Sequence, residues 1–153
     1  MKPMSTPMTT TLSDLTARTG LGVLDHLERQ VAVPVVDGLQ AQGDLIVVPF
    51  AFVADSVRLA AYVQWQEVPA AGIELLRSAA GGNPHSLVAD PGTCLWTPHV
   101  FDDTRLALVV VDVREVAYLI HPEHGATGLA PGRYVVRRQR ERNGERGQRM
   151  IAD

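Results

Sequence analysis

A single cysteine, Cys94, stands in the 153 residues, so no disulfide forms within the chain and folding has to rest on apolar burial. Aromatic residues are scarce at 5%, which leaves Val, Leu, Ala and Ile to build the interior. Lysine occurs once, at Lys2, and every other basic side chain is arginine. That preference, with abundant Ala, Val and Gly, points to a GC-rich bacterial genome more than to an activity. The longest apolar runs, such as "LALVVV", fall far short of the roughly 20 residues of a membrane span. The N-terminus lacks the charged, apolar and small-residue order of a signal peptide. A cytoplasmic protein with no membrane partner is expected.

What is present suits one folded unit. A chain of this length buries about two-thirds of its unfolded surface without metals or cross-links. Apolar residues make up 46% and charged residues 20%, which argues against general disorder. The charge is unevenly placed: residues 1–132 carry 7 basic against 14 acidic side chains, and residues 133–153 carry 7 against 3. A body of net −7 followed by a segment of +4 disfavours a general nucleic-acid binder, because such proteins present a broad basic surface.

Residues 1–12 hold no periodicity and two prolines, and are expected to form a flexible tail ahead of a β-rich domain over 13–153. Between Ser13 and Gln30 an amphipathic stripe predicts a helix, which Gly20 and Gly22 weaken and divide. Beyond Val31 the period shortens. "VAVPVV", "GDLIVVPF", "GIELLRSA", "HSLVA", "CLWT", "RLALVVVDV", "EVAYLI" and "RYVVRRQRE" follow one another, separated by Gly, Pro, Asn and Asp clusters. This spacing predicts a mainly β fold, a small barrel or sandwich with one N-terminal helical segment. Residues 50–66 read equally as helix or as a strand pair.

Two stretches carry chemistry-bearing side chains. "HPEHG" puts His121, Glu123 and His124 at a strand-to-loop junction, and "GGNPH" puts His85 at a loop-to-strand junction. If those ends meet, His85, His121 and His124 make a ligand set for a divalent transition metal, with Glu123 as base of a metal-dependent hydrolase. The competing reading is a pair of hydrogen-bonded turns with no metal, no cofactor and no catalytic residue, and it is preferred because the second half of a paired metal motif is missing. His99 offers a fourth nitrogen but reads as solvated. Ser86, Ser78 and Cys94 sit in no nucleophile motif. "GATGLAPG" lacks the lysine of a phosphate loop, and its "APGRY" reads as a type II turn with Pro131 and Gly132 at the corner.

The second stretch is "RYVVRRQRERNGER". In strand geometry Tyr134, Val136, Arg138 and Arg140 share one face while Val135 and Arg137 share the other. An edge strand guarded by charge satisfies this pattern. Read functionally, Arg133, Tyr134, Arg137, Arg138 and Arg140 form a contact surface for acidic groups of a protein partner, with nucleic-acid contact a weaker alternative.

Taken in order, "GGNPHSLVAD", "HPEHGATGLAPGRYVVRRQRER" and "MIAD" resemble a family of small uncharacterised bacterial proteins. That family shares a His-x-Glu-His-Gly segment, a Pro-Gly-x-Tyr turn and an Arg-Arg-Gln-Arg-Glu strand. The resemblance covers roughly residues 43–153 and implies a shared β-rich fold and a shared surface, without a reaction. The functional expectation is a non-catalytic cytosolic interaction or scaffold module that self-associates or binds another protein.

Overall fold

The computed structural model describes residues 10–23, 32–77 and 84–139. One helix, α1 (Leu12–Thr19), precedes thirteen strands among these residues. They are β1 (Val35–Val36), β2 (Gln40–Gln42), β3 (Leu45–Pro49), β4 (Val57–Leu59), β5 (Gln66–Glu67), β6 (Ile73–Arg77) and β7 (Pro84–Ala89), then β8 (Cys94–Thr97), β9 (Val100–Asp102), β10 (Ala107–Val113), β11 (Ala117–His121), β12 (Gly125–Leu129) and β13 (Gly132–Arg138). A first sheet has the order β1-β12-β11-β7-β6, a second has β2-β3-β13-β10-β8-β5, and β4 pairs with β9 in a two-stranded ribbon.

Alternation along the strands sorts side chains into layers. Leu87, Ala117, Leu119 and Leu129 of the first sheet meet Val47, Val111, Tyr134 and Val136 of the second in the largest buried cluster. The opposite face of the first sheet gives Val88 and Ile120 to a second cluster with Leu12 and Leu15 of α1. The opposite face of the second sheet gives Val110 and Val135 to a third, closed by Val57, Leu59 and Val100 of the ribbon. The order of layers is helix, sheet, sheet, ribbon. The fold is therefore mainly β and a sandwich of two open sheets; the barrel form of the expectation is not the one adopted.

Local chemistry explains the helix and its short length. Thr11 caps it: the Thr11 hydroxyl accepts from the Asp14 N–H at 3.1 Å and the Asp14 carboxylate accepts from the Thr11 N–H at 3.0 Å. The Thr11 N–H bond, then the hydroxyl, hold the Asp14 carboxyl below its ordinary range. Gly20, left-handed at φ 76°, ends the helix and donates its N–H to the Thr16 carbonyl. The expected stripe over Leu24, Leu27 and Val31 lies outside the described residues. Thr10, expected in the tail, accepts a hydrogen bond from the Tyr118 hydroxyl at 3.1 Å, and the Val33 N–H donates to its carbonyl.

Two departures from the sequence reading matter for function. "GATGL", poor in strand formers, is β12, because β11 pairs with it on one side and β1 runs parallel on the other. Gly128 makes that parallel contact possible: a Cβ there would lie 2.9 Å from the Val35 Cγ2 and 3.2 Å from its Cα. The second departure is β13, which lies between β3 and β10 in the middle of its sheet. The charged edge strand expected there is a central strand. At its start Gly132 takes φ 154°, a conformation that favours glycine but is far from the corner of a type II turn.

Candidate functional site

The turn "HPEHG" is the tip of the β11–β12 hairpin, with His121 paired to Gly125 and three residues between. Gly125 is left-handed at φ 79°, as a three-residue hairpin loop requires. His121 holds this loop from within. Its Nδ1 accepts the N–H of Glu123 at 3.0 Å and that of His124 at 3.3 Å. Strand alternation turns His121 and His85 inward, in line with Leu119 and Leu87, and both are fully buried between the sheets.

The three imidazoles do come together. Ring centroids lie 4.3 Å apart for His85 and His121, 4.6 Å for His121 and His124, and 6.3 Å for His85 and His124. Proximity alone does not make a ligand set. A neutral imidazole has one lone pair, and at His121 it is directed at two backbone N–H groups of its own turn, which leaves the proton on Nε2. Gln42 orders His85: its amide nitrogen donates to the Leu119 carbonyl at 3.1 Å, so its oxygen faces the His85 Nδ1 at 3.0 Å and receives that proton. Among the described residues no group of three His, Cys, Asp or Glu side chains is arranged to hold a metal ion. Glu123, the base of that alternative, is exposed on the loop. The rings gather at the tip of the β11–β12 hairpin, where His121 holds the turn and His85 bonds Gln42.

Of the remaining nucleophile candidates, Ser86 and Cys94 are placed as packing residues. Ser86 is buried on the helix side of the first sheet, and Ser78 lies outside the described residues. Cys94 is buried in the core, where desolvation, then the Asp112 carboxylate, push its thiol up to about 12. A thiol so placed is not a nucleophile at neutral pH. His99 is half-buried: its Nδ1 accepts the Gln64 N–H at 3.3 Å and its ring lies 5.2 Å from that of Tyr62.

The arginine strand divides into residues used internally and residues left outside. Tyr134, expected at a partner's surface, is 2% exposed; its hydroxyl donates to the Ala130 carbonyl at 2.7 Å and closes the corner before β13. Burial, then the Asp37 carboxylate, raise its phenol above the usual range. Arg137, also expected to meet a partner, is bound within the fold: its Nε and Nη2 each donate to Asp102 at 3.0 Å. Arg138 is exposed, and Arg133 is exposed with its guanidinium 5.0 Å from the Trp65 ring and 3.7 Å from Asp112. Arg140 lies outside the described residues.

Asp102 is the group that sequence reasoning missed. Besides Arg137, its carboxylate accepts the Thr104 N–H, the Thr104 hydroxyl and the Ala107 N–H at 2.8 to 3.0 Å. Its side chain is 2% exposed. Burial works to raise its pKa, and the hydrogen bonds from Thr104 and Arg137 outweigh this and leave it lowered. The pair fastens the ribbon to β13 and fixes the turn that follows β9. In that turn Arg105 stands at φ 62°, the one left-handed residue other than glycine among those described.

Above this anchor lies the surface richest in aromatic side chains. The chain has eight, and five of them, Phe50, Phe52, Tyr62, Trp65 and Phe101, fall in or beside the ribbon layer. Phe52 is 69% exposed, Tyr62 66% and Phe101 49%; of the large apolar side chains exposed among the described residues, only Val35 and Leu39 lie elsewhere. Arg58 stacks over Phe101 at 5.7 Å. A cleft of about 460 Å³ lies here, lined by Arg58, Phe101, Asp103 and Arg105. The only hint in the sequence was the density of aromatics within 50–66, in a segment whose secondary structure was ambiguous.

Comparison with known proteins gives one family: residues 41–139, well over half of the chain, match the family described as Domain of unknown function (DUF8820). No curated protein and no solved structure matches.

Proposed function

The chain belongs to the DUF8820 family of domains of unknown function, and from that premise we propose that it is a non-catalytic cytosolic interaction module whose contact surface is the ribbon layer. One observation carries the reading. In a chain with few aromatics, three aromatic side chains, Phe52, Tyr62 and Phe101, stand exposed on one layer, Phe101 with Arg58 stacked on it, when apolar burial is the main stabiliser of any fold. Aromatic and arginine side chains are the residues that contribute most when protein surfaces dock. The occupant is therefore a folded protein surface bearing apolar groups ringed by charges of both signs, matching Arg58, Arg105, Asp55 and Asp103 around the rings. Arg133 at the border extends this face, and Arg138 and the histidine turn are outside it.

The test places a photo-reactive amino acid at position 101 and, separately, at position 52 of the full chain in cells, with position 17 on the exposed side of α1 as control. The expected result is a discrete cross-linked protein species from 101 and 52 that is missing from 17. Equal cross-linking from all three positions, or none from the ribbon, refutes the reading.

A further inference from the structure

Resting on the docking-face reading above, we infer that the occupant of the ribbon layer is a second copy of this chain, related by a two-fold axis. The argument begins with the register of the ribbon. Val57 pairs with Asp102, Arg58 with Phe101 and Leu59 with Val100. Val57, Leu59 and Val100 point into the third buried cluster and Asp102 points to Arg137, so alternation directs Arg58 and Phe101 outward, and Asp103, exposed in the turn after β9, lines the same cleft as both.

These outward side chains alternate in sign. Arg58 and Phe101 share one level of the ribbon, and Asp103 stands two residues further along, in the turn after β9. Asp55 and Arg105 flank that end. All four charged groups are exposed, and none is in an ion pair among the described residues. This contrasts with Arg133 and Arg137 just beneath, each matched to an aspartate of the same fold. A two-fold axis through the level of Asp102 sets Arg58 of each copy against Asp103 of the other, so one contact occurs twice. The same operation lays the two Phe101 rings over each other's apolar surroundings. A partner of a single charge sign would leave either the arginines or the aspartates facing like charge.

Asp102 supplies the rigidity that such a contact needs. With five hydrogen bonds to its carboxylate, it holds both ends of the outward array, β9 and the Arg105 turn, in one arrangement before any partner arrives. Preorganisation of this kind reduces the ordering cost of association.

Sedimentation equilibrium of the full chain, up to the hundred-micromolar range, tests the inference with the variants Arg58→Glu, Asp103→Arg and the two combined. Among the described residues neither side chain is in an ion pair, and both are exposed, so all three variants are expected to melt like the wild type. The wild type is expected to form a reversible dimer. Each single variant is expected to weaken it at least about tenfold, since a like-charge contact is introduced twice, and the combined variant to regain most of the loss. A combined variant as weak as the single ones, or a dimer indifferent to all three, overturns the inference. A strict monomer that still gives ribbon-specific cross-links to another protein overturns the second copy and leaves the docking face standing. A strict monomer without such cross-links overturns both.

Discussion

Two regions bury polar side chains in this fold, and they do so by opposite means. Between the sheets, Gln42 bonds His85 and the Leu119 carbonyl while His121 accepts from the backbone of its own turn, and the result is a fastened hairpin. Under the ribbon, Asp102 and Arg137 carry full charges and match each other, and the carboxylate also accepts from hydroxyl and amide donors around it. The histidine cluster faces inward and fastens one hairpin. The charged pair faces inward too, but what it holds in place is a surface. Polar burial thus serves interior closure in one region and presentation of an outer layer in the other.

The sharpest way to break this contrast is Asp102→Ala. Removing one partner of a buried pair leaves the other charge uncompensated, and here also leaves the Thr104 and Ala107 N–H groups without their acceptor. A stability loss of about 3 kcal/mol is expected in urea unfolding. Cys94 provides a second readout, since its reaction with a thiol reagent at neutral pH requires the core to open and should be faster in the variant. The same carboxylate carries a pH signature. Its pKa is lowered in the folded state, so its contribution is present above the ordinary carboxylate value near 3.9 and is lost as pH falls through the lower folded value. Wild-type unfolding should therefore show an acid limb to which Asp102 contributes, and Asp102→Ala should flatten it; an unchanged limb would contradict the assignment.

A smaller effect is expected between the sheets. Gln42→Leu removes the acceptor of the His85 Nδ1 proton and the donor to Leu119, at a cost of about 1–3 kcal/mol by thermal unfolding. Dimerisation should be unaffected, because the ribbon lies on the far side of the second sheet. Smallest in stability is Phe52→Ser, which exchanges an exposed side chain and should shift unfolding by no more than about 0.5 kcal/mol. Its association constant should fall nonetheless, and a variant that loses stability but keeps association would reverse the comparison.

The strand series was legible because apolar residues alternate over lengths that suit strands and turn residues separate them. β3, β7, β8, β10, β11 and β13 all coincide with runs read from the chain. β12 was not legible, since Gly and Ala are poor strand formers and Thr127 and Leu129 are too few to mark a run; it is a strand because Ala117–His121 and Val35–Val36 flank it. The helix was legible as far as Gly20, which ends its first piece as a left-handed cap; the stripe beyond Val23 lies outside the described residues. The histidines were picked out by type and do cluster, but their chemistry turned on which nitrogen holds the proton, and backbone donors in the turn decide that. Arg137 looked like a contact residue because its partner, Asp102, lies 35 positions away, beyond the reach of any local pattern.

By itself the sequence determined that extended segments would bury an aliphatic interior, that one capped helix would precede them, and where the turns would fall. These follow from periodicity and turn chemistry, which act over a few residues. Tertiary structure alone decided that β13 would be central, that Asp102 would neutralise Arg137, and that Arg58, Phe101 and Asp103 would line one cleft. Those outcomes depend on which strands become neighbours, a property of long-range pairing and layer packing that no short stretch of the chain contains.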